Sequence, residues 1–273
     1  MPVSLKNYLK KLIRKTKENK SRLSFFLEYY YFILLFFKKQ NKKNNSNKKI
    51  AAIVLSWKRP KNLPFVIYGL KKQSCIDKII ILHNHPSKRW IPRCKNIFFE
   101  ENHGCIIRHK YAAEIEGFDY FLFSDDDLML KHDVSKVILN AINLYGEESM
   151  YGFFGQKLNL KSTKPYSQGT PINSISRDFV DIIKGRLHII SKEGIKEMTN
   201  SNLDTPALLS EDDIRANIIL QMKFNKANIL LPLHKNPIDL QKKHALERRK
   251  NHLLLRDEAI LDGIKMGWSP IRP

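Results

Sequence analysis

Three short apolar runs limit what this chain can fold into: Ile50–Trp57 (IAAIVLSW), Lys78–Leu82 (KIIIL) and Tyr120–Ser124 (YFLFS). Each has the length of a strand and is apolar on both sides, which suits a strand covered on both faces rather than one half turned to water. Between them, Leu63–Lys72 spaces Leu63, Val66, Ile67 and Leu70 along one side of a helix, and Arg108–Glu116 reads as another. Asn96–Phe99 (NIFF) adds a further strand. Strand, helix, strand, strand, helix, strand in succession predicts an α/β sheet that is largely parallel. No internal repeat is present, and one domain over 50–273 accommodates the elements.

An apolar fraction of 42% with 28 aromatic residues excludes a wholly disordered chain. Three cysteines, Cys75, Cys94 and Cys105, are too few for a disulfide framework and favour a reducing compartment, hence the cytoplasm. The net charge of +21 is unevenly spread: residues 1–50 carry 14 Lys/Arg against Glu18 and Glu28, which is +12 of the total. A nucleic-acid-binding globule would hold that excess on its folded part, so nucleic acid is not the expected partner.

Within the basic segment lies Leu23–Phe37 (LSFFLEYYYFILLFF), with eight aromatics and one acid. As a helix it would reach about 22 Å at roughly 1.5 Å per residue, short of a ~30 Å hydrocarbon core. Bulky aromatics without a small-residue cleavage site also fit a secretory signal poorly. The composition suits a helix lying in a membrane interface with Lys and Arg on anionic head groups, which places the protein peripherally on a membrane face. Packing of the apolar side on the domain is the alternative. The expected organisation is a basic aromatic helical segment over 1–39, a polar linker over 40–49 and the domain over 50–273.

The strand Tyr120–Ser124 runs into Asp125-Asp126-Asp127. Ligands of open α/β sheets bind beyond the carboxyl ends of the strands. Strand alternation would turn Asp125 and Asp127 one way and Asp126 the other. Two carboxylates facing one crevice repel unless a cation lies between them, and oxygen ligands suit Mg²⁺ or Mn²⁺ completed by substrate phosphate. A calcium loop fails on spacing, since Leu130 stands at the turn-glycine position and Lys136 at that of the bidentate acid. A solvated acidic turn or helix cap is the plain alternative.

The ordered set of motifs resembles a GT-A fold glycosyltransferase, and more narrowly the catalytic domain of exostosin-type transferases. Ser56–Pro60 (SWKRP) is similar to that family's stretch after the first strand, and Ile79–Asn84 (IIILHN) to its second strand. Phe121–Asp127 (FLFSDDD) is similar to its metal-binding DXD strand. Glu211–Leu220 (EDDIRANIIL) and His244–Arg248 (HALER) resemble its C-terminal catalytic stretches. The resemblance implies a Rossmann-like, mostly parallel sheet flanked by helices, and transfer of an N-acetylhexosamine or hexuronic acid from a UDP-sugar with retention. The acceptor would be a glycan or lipid-linked, as in polysaccharide biosynthesis.

The resemblance further implies that Asp127 and Asp125 bind Mn²⁺ or Mg²⁺. Arg59 and Asn84 would hold the nucleotide, with Asn102, Gly104, Arg108, Asp126 and Gly185 also along the donor. Asp213, with Asp212, would lie beside the anomeric carbon, and Arg248 would face the leaving diphosphate. The family's disulfide between the two C-terminal stretches has no counterpart, for no cysteine follows Cys105.

Chemistry independent of the family agrees with those residue types. A divalent ion and an arginine fork stabilise charge on a departing diphosphate, and a carboxylate stabilises an oxocarbenium-like sugar. Capping of a helix is the alternative for Asp212 and Asp213, a solvated face for Arg248, and a surface turn for Arg59. Gly185 either lets the backbone approach the donor or marks a bulge. His234 or His244 is a further candidate metal ligand. The scattered Cys and His residues lack zinc spacing, and no phosphate-binding glycine loop or nucleophile elbow occurs. A catalytically idle GT-A module at a membrane is the alternative function, and a basic nucleic-acid binder the more remote one.

Overall fold

Ile50–Ser56 (β1) is buried along its whole length, and the sheet grows outward from it. In the computed structural model, residues 26–39, 47–173, 176–233, 235–240 and 251–272 are described. β1 pairs in parallel with Ile76–His83 (β2) on one side and Tyr120–Asp125 (β4) on the other. Lys95–Phe98 (β3) extends the sheet beyond β2, also in parallel. Beyond β4 come Leu187–Ser191 (β11), Tyr151–Gly152 (β6), Asn228–Leu230 (β12) and Asp178–Val180 (β9), giving the order β3-β2-β1-β4-β11-β6-β12-β9. Only β11 and β9 run against the rest; Gly155–Lys157 (β7), Thr170–Ile172 (β8) and Ile182–Ile183 (β10) form a separate small sheet, and Pro206–Ser210 (α6) is a short helix. The expected α/β architecture, a large and mostly parallel sheet flanked by helices, is the one observed.

Both faces are dry because successive side chains of β1 enter different layers. Ala52 and Val54 join Ile79, Ile81 and Leu122 under Leu63–Leu70 (α2) and Ser135–Tyr145 (α4). Ala51, Ile53 and Leu55 join Ile80, Leu82, Phe121 and Phe123 beneath Ile107–Glu114 (α3), Lys192–Asn200 (α5) and Asp212–Phe224 (α7). Each fully buried Val, Ile or Leu contributes about 1.5–3 kcal/mol of transfer free energy, which explains why an unbroken apolar run, not an alternating one, marks these strands. A third cluster seats the last helix, His252–Lys265 (α8), on α7 through Ile214, Ile218, Ala259 and Ile260.

Residues 26–37 are helical (α1) and pack on α2. Tyr31 meets Phe65 and Tyr68 with ring centroids 4.8 Å apart, and Leu35 is fully buried. Glu28 pairs with Arg89. The Lys71 ammonium points at the end of α1, donating to Leu35 O (3.5 Å) and Lys38 O (3.3 Å), where a helix presents negative charge. The inner side of this helix thus packs on the domain. The linker expected over 40–49 lies mostly outside the described residues.

The two-residue strand after the aspartates, Leu128–Met129 (β5), is wedged against α2. A Cβ on Gly69 of α2 would sit 2.7 Å from the Leu130 carbonyl oxygen and 2.9 Å from its nitrogen. Alanine normally stabilises a helix interior by about 1 kcal/mol over glycine. Here the obstacle is backbone, so Gly69→Ala is expected to lower stability by about 1–3 kcal/mol, read as a shift in thermal unfolding; an unchanged or raised midpoint would refute the close packing.

Candidate active site

β1, β2 and β4 end together: Ser56 lies beside His83, and Leu55 beside Asp125. The segments leaving these ends carry Arg59, Asn84, Asp126 and Asp127, and Asp125 is the last residue of β4.

Asp125 closes β4, and Asp126 and Asp127 form the turn into β5. The expected alternation therefore stops at Asp125, because a turn replaces the pleat. Asp126 and Asp127 share one partner: Arg59 Nη2 lies 2.5 Å from Asp126 Oδ1, and Nη1 lies 2.5 Å from Asp127 Oδ2. Lys58, at φ +61°, makes the sharp reversal before Arg59, and the Trp57 N–H donates to Asp126 Oδ2 at 2.9 Å. Burial pushes the Asp126 carboxyl up to about 7 against the pull of Arg59. Burial also opposes the Arg59 charge, but the three aspartates outweigh it and raise the guanidinium. Asp127 keeps one buried oxygen, Oδ1, without a hydrogen-bond partner. Its carbonyl accepts from the Leu240 N–H at 2.8 Å.

Asp125 faces Arg108. That buried guanidinium forks onto Asp212, with Nε to Oδ2 at 2.7 Å and Nη2 to Oδ1 at 3.0 Å. Its Nη1 donates to Gly185 O at 3.1 Å and to Asp125 Oδ1 at 3.3 Å. Gly185 sits in the turn before β11, and a Cβ there would lie 2.7 Å from Arg108 Nη2 and 3.1 Å from Asp213 Cβ. Close approach of side chains, not a bulge, is what glycine permits at this position.

Asp213 has its own fork. Arg256 of α8 donates from Nη2 to Asp213 Oδ2 at 2.8 Å, and from Nη1 to Asp213 Oδ1 at 3.1 Å and Glu211 Oε2 at 2.7 Å. The Gly185 N–H adds a bond to Asp213 Oδ2 at 2.8 Å. Burial opposes ionisation of Asp213, and Arg256 overrides it, holding the carboxyl well below the usual range. Glu211 goes the other way: burial outweighs Arg256 and pushes it up to about 7. The Tyr166 ring lies 4.3 Å from the Arg256 guanidinium carbon. Lys184 is lowered to about 8, first by burial and then by Arg256.

Two buried histidines lie beneath this network. His188 Nδ1 stands 3.2 Å from Gly185 O, and His188 Nε2 stands 3.4 Å from His109 Nε2. A carbonyl only accepts, so His188 carries its proton on Nδ1 and accepts from His109 Nε2–H. His109 Nδ1 is left bare, without a hydrogen bond and 3.7 Å from Asp212 Oδ2. Burial holds both imidazoles well below their ordinary value.

Asn84, Asn102 and Gly104 also come together. Asn84 Nδ2 donates to Asn102 Oδ1 (2.8 Å) and Gly104 O (2.9 Å), and Asn84 Oδ1 accepts from the His103 N–H (2.9 Å). The asparagine amide thus fastens the 102–104 loop against the end of β2. Gly104 adopts φ +72°, which glycine allows freely. Arg248, His234 and His244 lie outside the described residues.

The sequence reading missed Arg256, Glu211, Lys184 and Tyr166. Arg256 had a signal: it shares a helical side with Ala259, Ile260 and Gly263, all buried in α8. A charge on an apolar side marks a buried partner elsewhere.

No family model matches the chain, and no curated protein matches it. Among solved structures 318 chains match. One is residues 1–349 of the S. aureus glycosyltransferase TarS, at TM-score 0.45 and 14% identity, with 69% of this chain covered. This chain spans 59% of that structure's length. Likeness at that level brings no activity with it.

Glu211 sets a sign for pH. Its native carboxyl titrates near 7 against an ordinary value of 4.5. The folded protein therefore holds a proton that the unfolded chain has released, and this contribution to stability is lost as pH rises through about 7. Glu211→Gln is expected to flatten the fall in stability between about pH 5 and pH 7.5 and to gain on the order of 1–3 kcal/mol at the upper end. Denaturant melts of both proteins at the two pH values check it, and identical pH slopes would contradict it. Arg256→Gln, which strands Asp213, is expected to cost about 3–5 kcal/mol in the same melts.

Proposed function

We propose that the protein is a glycosyltransferase that moves a sugar from a nucleotide-sugar donor onto a glycan or lipid-linked acceptor. One observation carries the reading. Where three parallel strands end, six carboxyl groups (Asp125, Asp126, Asp127, Glu211, Asp212, Asp213) outnumber three arginine forks (Arg59, Arg108, Arg256), an excess of acids over guanidinium groups beside a buried, unpartnered Asp127 oxygen.

That excess suits a divalent cation. Among the described residues no group of three or more His, Cys, Asp or Glu forms a ready-made metal site. Asp127, through Oδ1, and Asp125, whose side chain is 34% exposed, would hold Mn²⁺ or Mg²⁺ with donor phosphate oxygens completing the ligands. The bound ion would offset charge on the leaving diphosphate. Arg59, in contact with Asp127, would supply a guanidinium for that charge. Asp213, kept ionised by Arg256, supplies a fixed negative charge for an oxocarbenium-like sugar. A uridine diphosphate donor and retention follow from the exostosin-type resemblance.

The second reading, an idle module, draws on the same ion pairs: Arg59, Arg108 and Arg256 already balance much of the site without a ligand. Titration calorimetry of the full chain with UDP, with and without Mn²⁺, tests the first. Binding with a Kd on the order of micromolar is expected, lost without Mn²⁺ and in the Asp125→Ala/Asp127→Ala double variant. Metal-dependent consumption of a nucleotide-sugar then separates enzyme from idle fold. Absence of binding to UDP, GDP and dTDP alike would sink the donor site.

A further inference from the structure

The helix α1 is amphipathic in the reverse sense. Its one charged residue between 26 and 37, Glu28, faces inward to Arg89, and Leu35, Tyr31 and Phe32 also face the domain. Phe26, Tyr30, Ile33 and Phe37 recur at helical spacing on the opposite side, with Tyr29 and Phe36 at its margins. Every one of them is exposed, Phe37 by 76% and Tyr30 by 57%. Trp90, 54% exposed, continues the patch, with its ring centroid 6.2 Å from that of Phe36. A helix that served only to cover α2 would turn its charge to water and its aromatics inward.

We propose that this face docks on an anionic phospholipid bilayer. Charge complementarity selects that occupant. Eight Lys/Arg precede the helix between residues 6 and 22, and Lys38, Lys39, Lys42 and Lys43 follow it, with Glu18 the single acid outside the helix in the first 50 residues. Each basic residue near an anionic leaflet contributes about 1 kcal/mol. Tyr and Phe are suited to the head-group boundary, where rings meet apolar tails and a phenol meets water. No helix among the described residues is long and apolar enough to cross a membrane, so the contact is interfacial. The Lys71 and Arg89 contacts hold the helix to the domain, so docking orients the whole molecule.

The test is co-sedimentation of the full chain with phosphatidylcholine vesicles, with and without phosphatidylserine, in the absence of any donor or metal. Its outcome therefore does not depend on the catalytic reading. Binding at least about tenfold tighter to the anionic vesicles, weakened by high salt, is expected. The triple variant Tyr30→Ser/Ile33→Ser/Phe37→Ser keeps every charge. It is expected to lose binding at least about tenfold while melting like the parent, because these side chains face outward. Quenching of tryptophan fluorescence by brominated lipid, abolished in Trp90→Phe, would place the patch at the bilayer. Vesicle binding that persists in the triple variant would reduce the effect to basic-tail electrostatics and overturn the proposal. So would a dimer of the parent, seen by sedimentation velocity, that the variant breaks up while neither protein binds vesicles.

Discussion

Arg108 is a guanidinium with almost no water around it, and the elements that meet at the carboxyl edge of the sheet are arranged to neutralise it. Asp212 comes from the first turn of α7, Asp125 from the last residue of β4, and the Gly185 carbonyl from the turn before β11. Taking a charge of that size out of water costs several kcal/mol unless partners surround it. Its three ligands therefore fix three otherwise independent segments at one point. Glycine at 185 is part of the same constraint, since any side chain there would displace the guanidinium or Asp213.

The second half of the site repeats the device with Arg256. The start of α7 and the body of α8 are joined by an arginine forked between Glu211 and Asp213. Tyr166, whose ring lies over the guanidinium, further excludes water from it. Glu211 and Asp213 respond to the same arginine in opposite senses. Asp213 receives both Nη atoms and a backbone N–H, whereas Glu211 receives one Nη and is left mostly to the cost of burial.

The parallel half of the fold was legible because its strands are covered on both sides, and unbroken β-branched runs have few other uses. The four predicted strands and two predicted helices between residues 50 and 125 appear within a residue or two of their expected bounds. Short strands such as β6, β9 and β12 left no comparable trace, since two or three residues hold no periodicity. At the site, residue types were legible and pairings were not. Arg59 and Asp127 are 68 residues apart, and Arg256 and Asp213 are 43. Such partners are set by tertiary packing, and strand alternation misled at Asp126–Asp127 because β4 had already ended.

The histidine pair beneath the site gives this region a direction. The Gly185 carbonyl fixes the proton of His188, which fixes that of His109, so both hydrogen bonds run in one sense toward the main chain. Reversing either imidazole would set two lone pairs or two hydrogens against each other. The row satisfies both hydrogen bonds in one proton arrangement, with the bare His109 Nδ1 on the Asp212 side. One backbone carbonyl thereby orders two side chains of the core under the carboxylates.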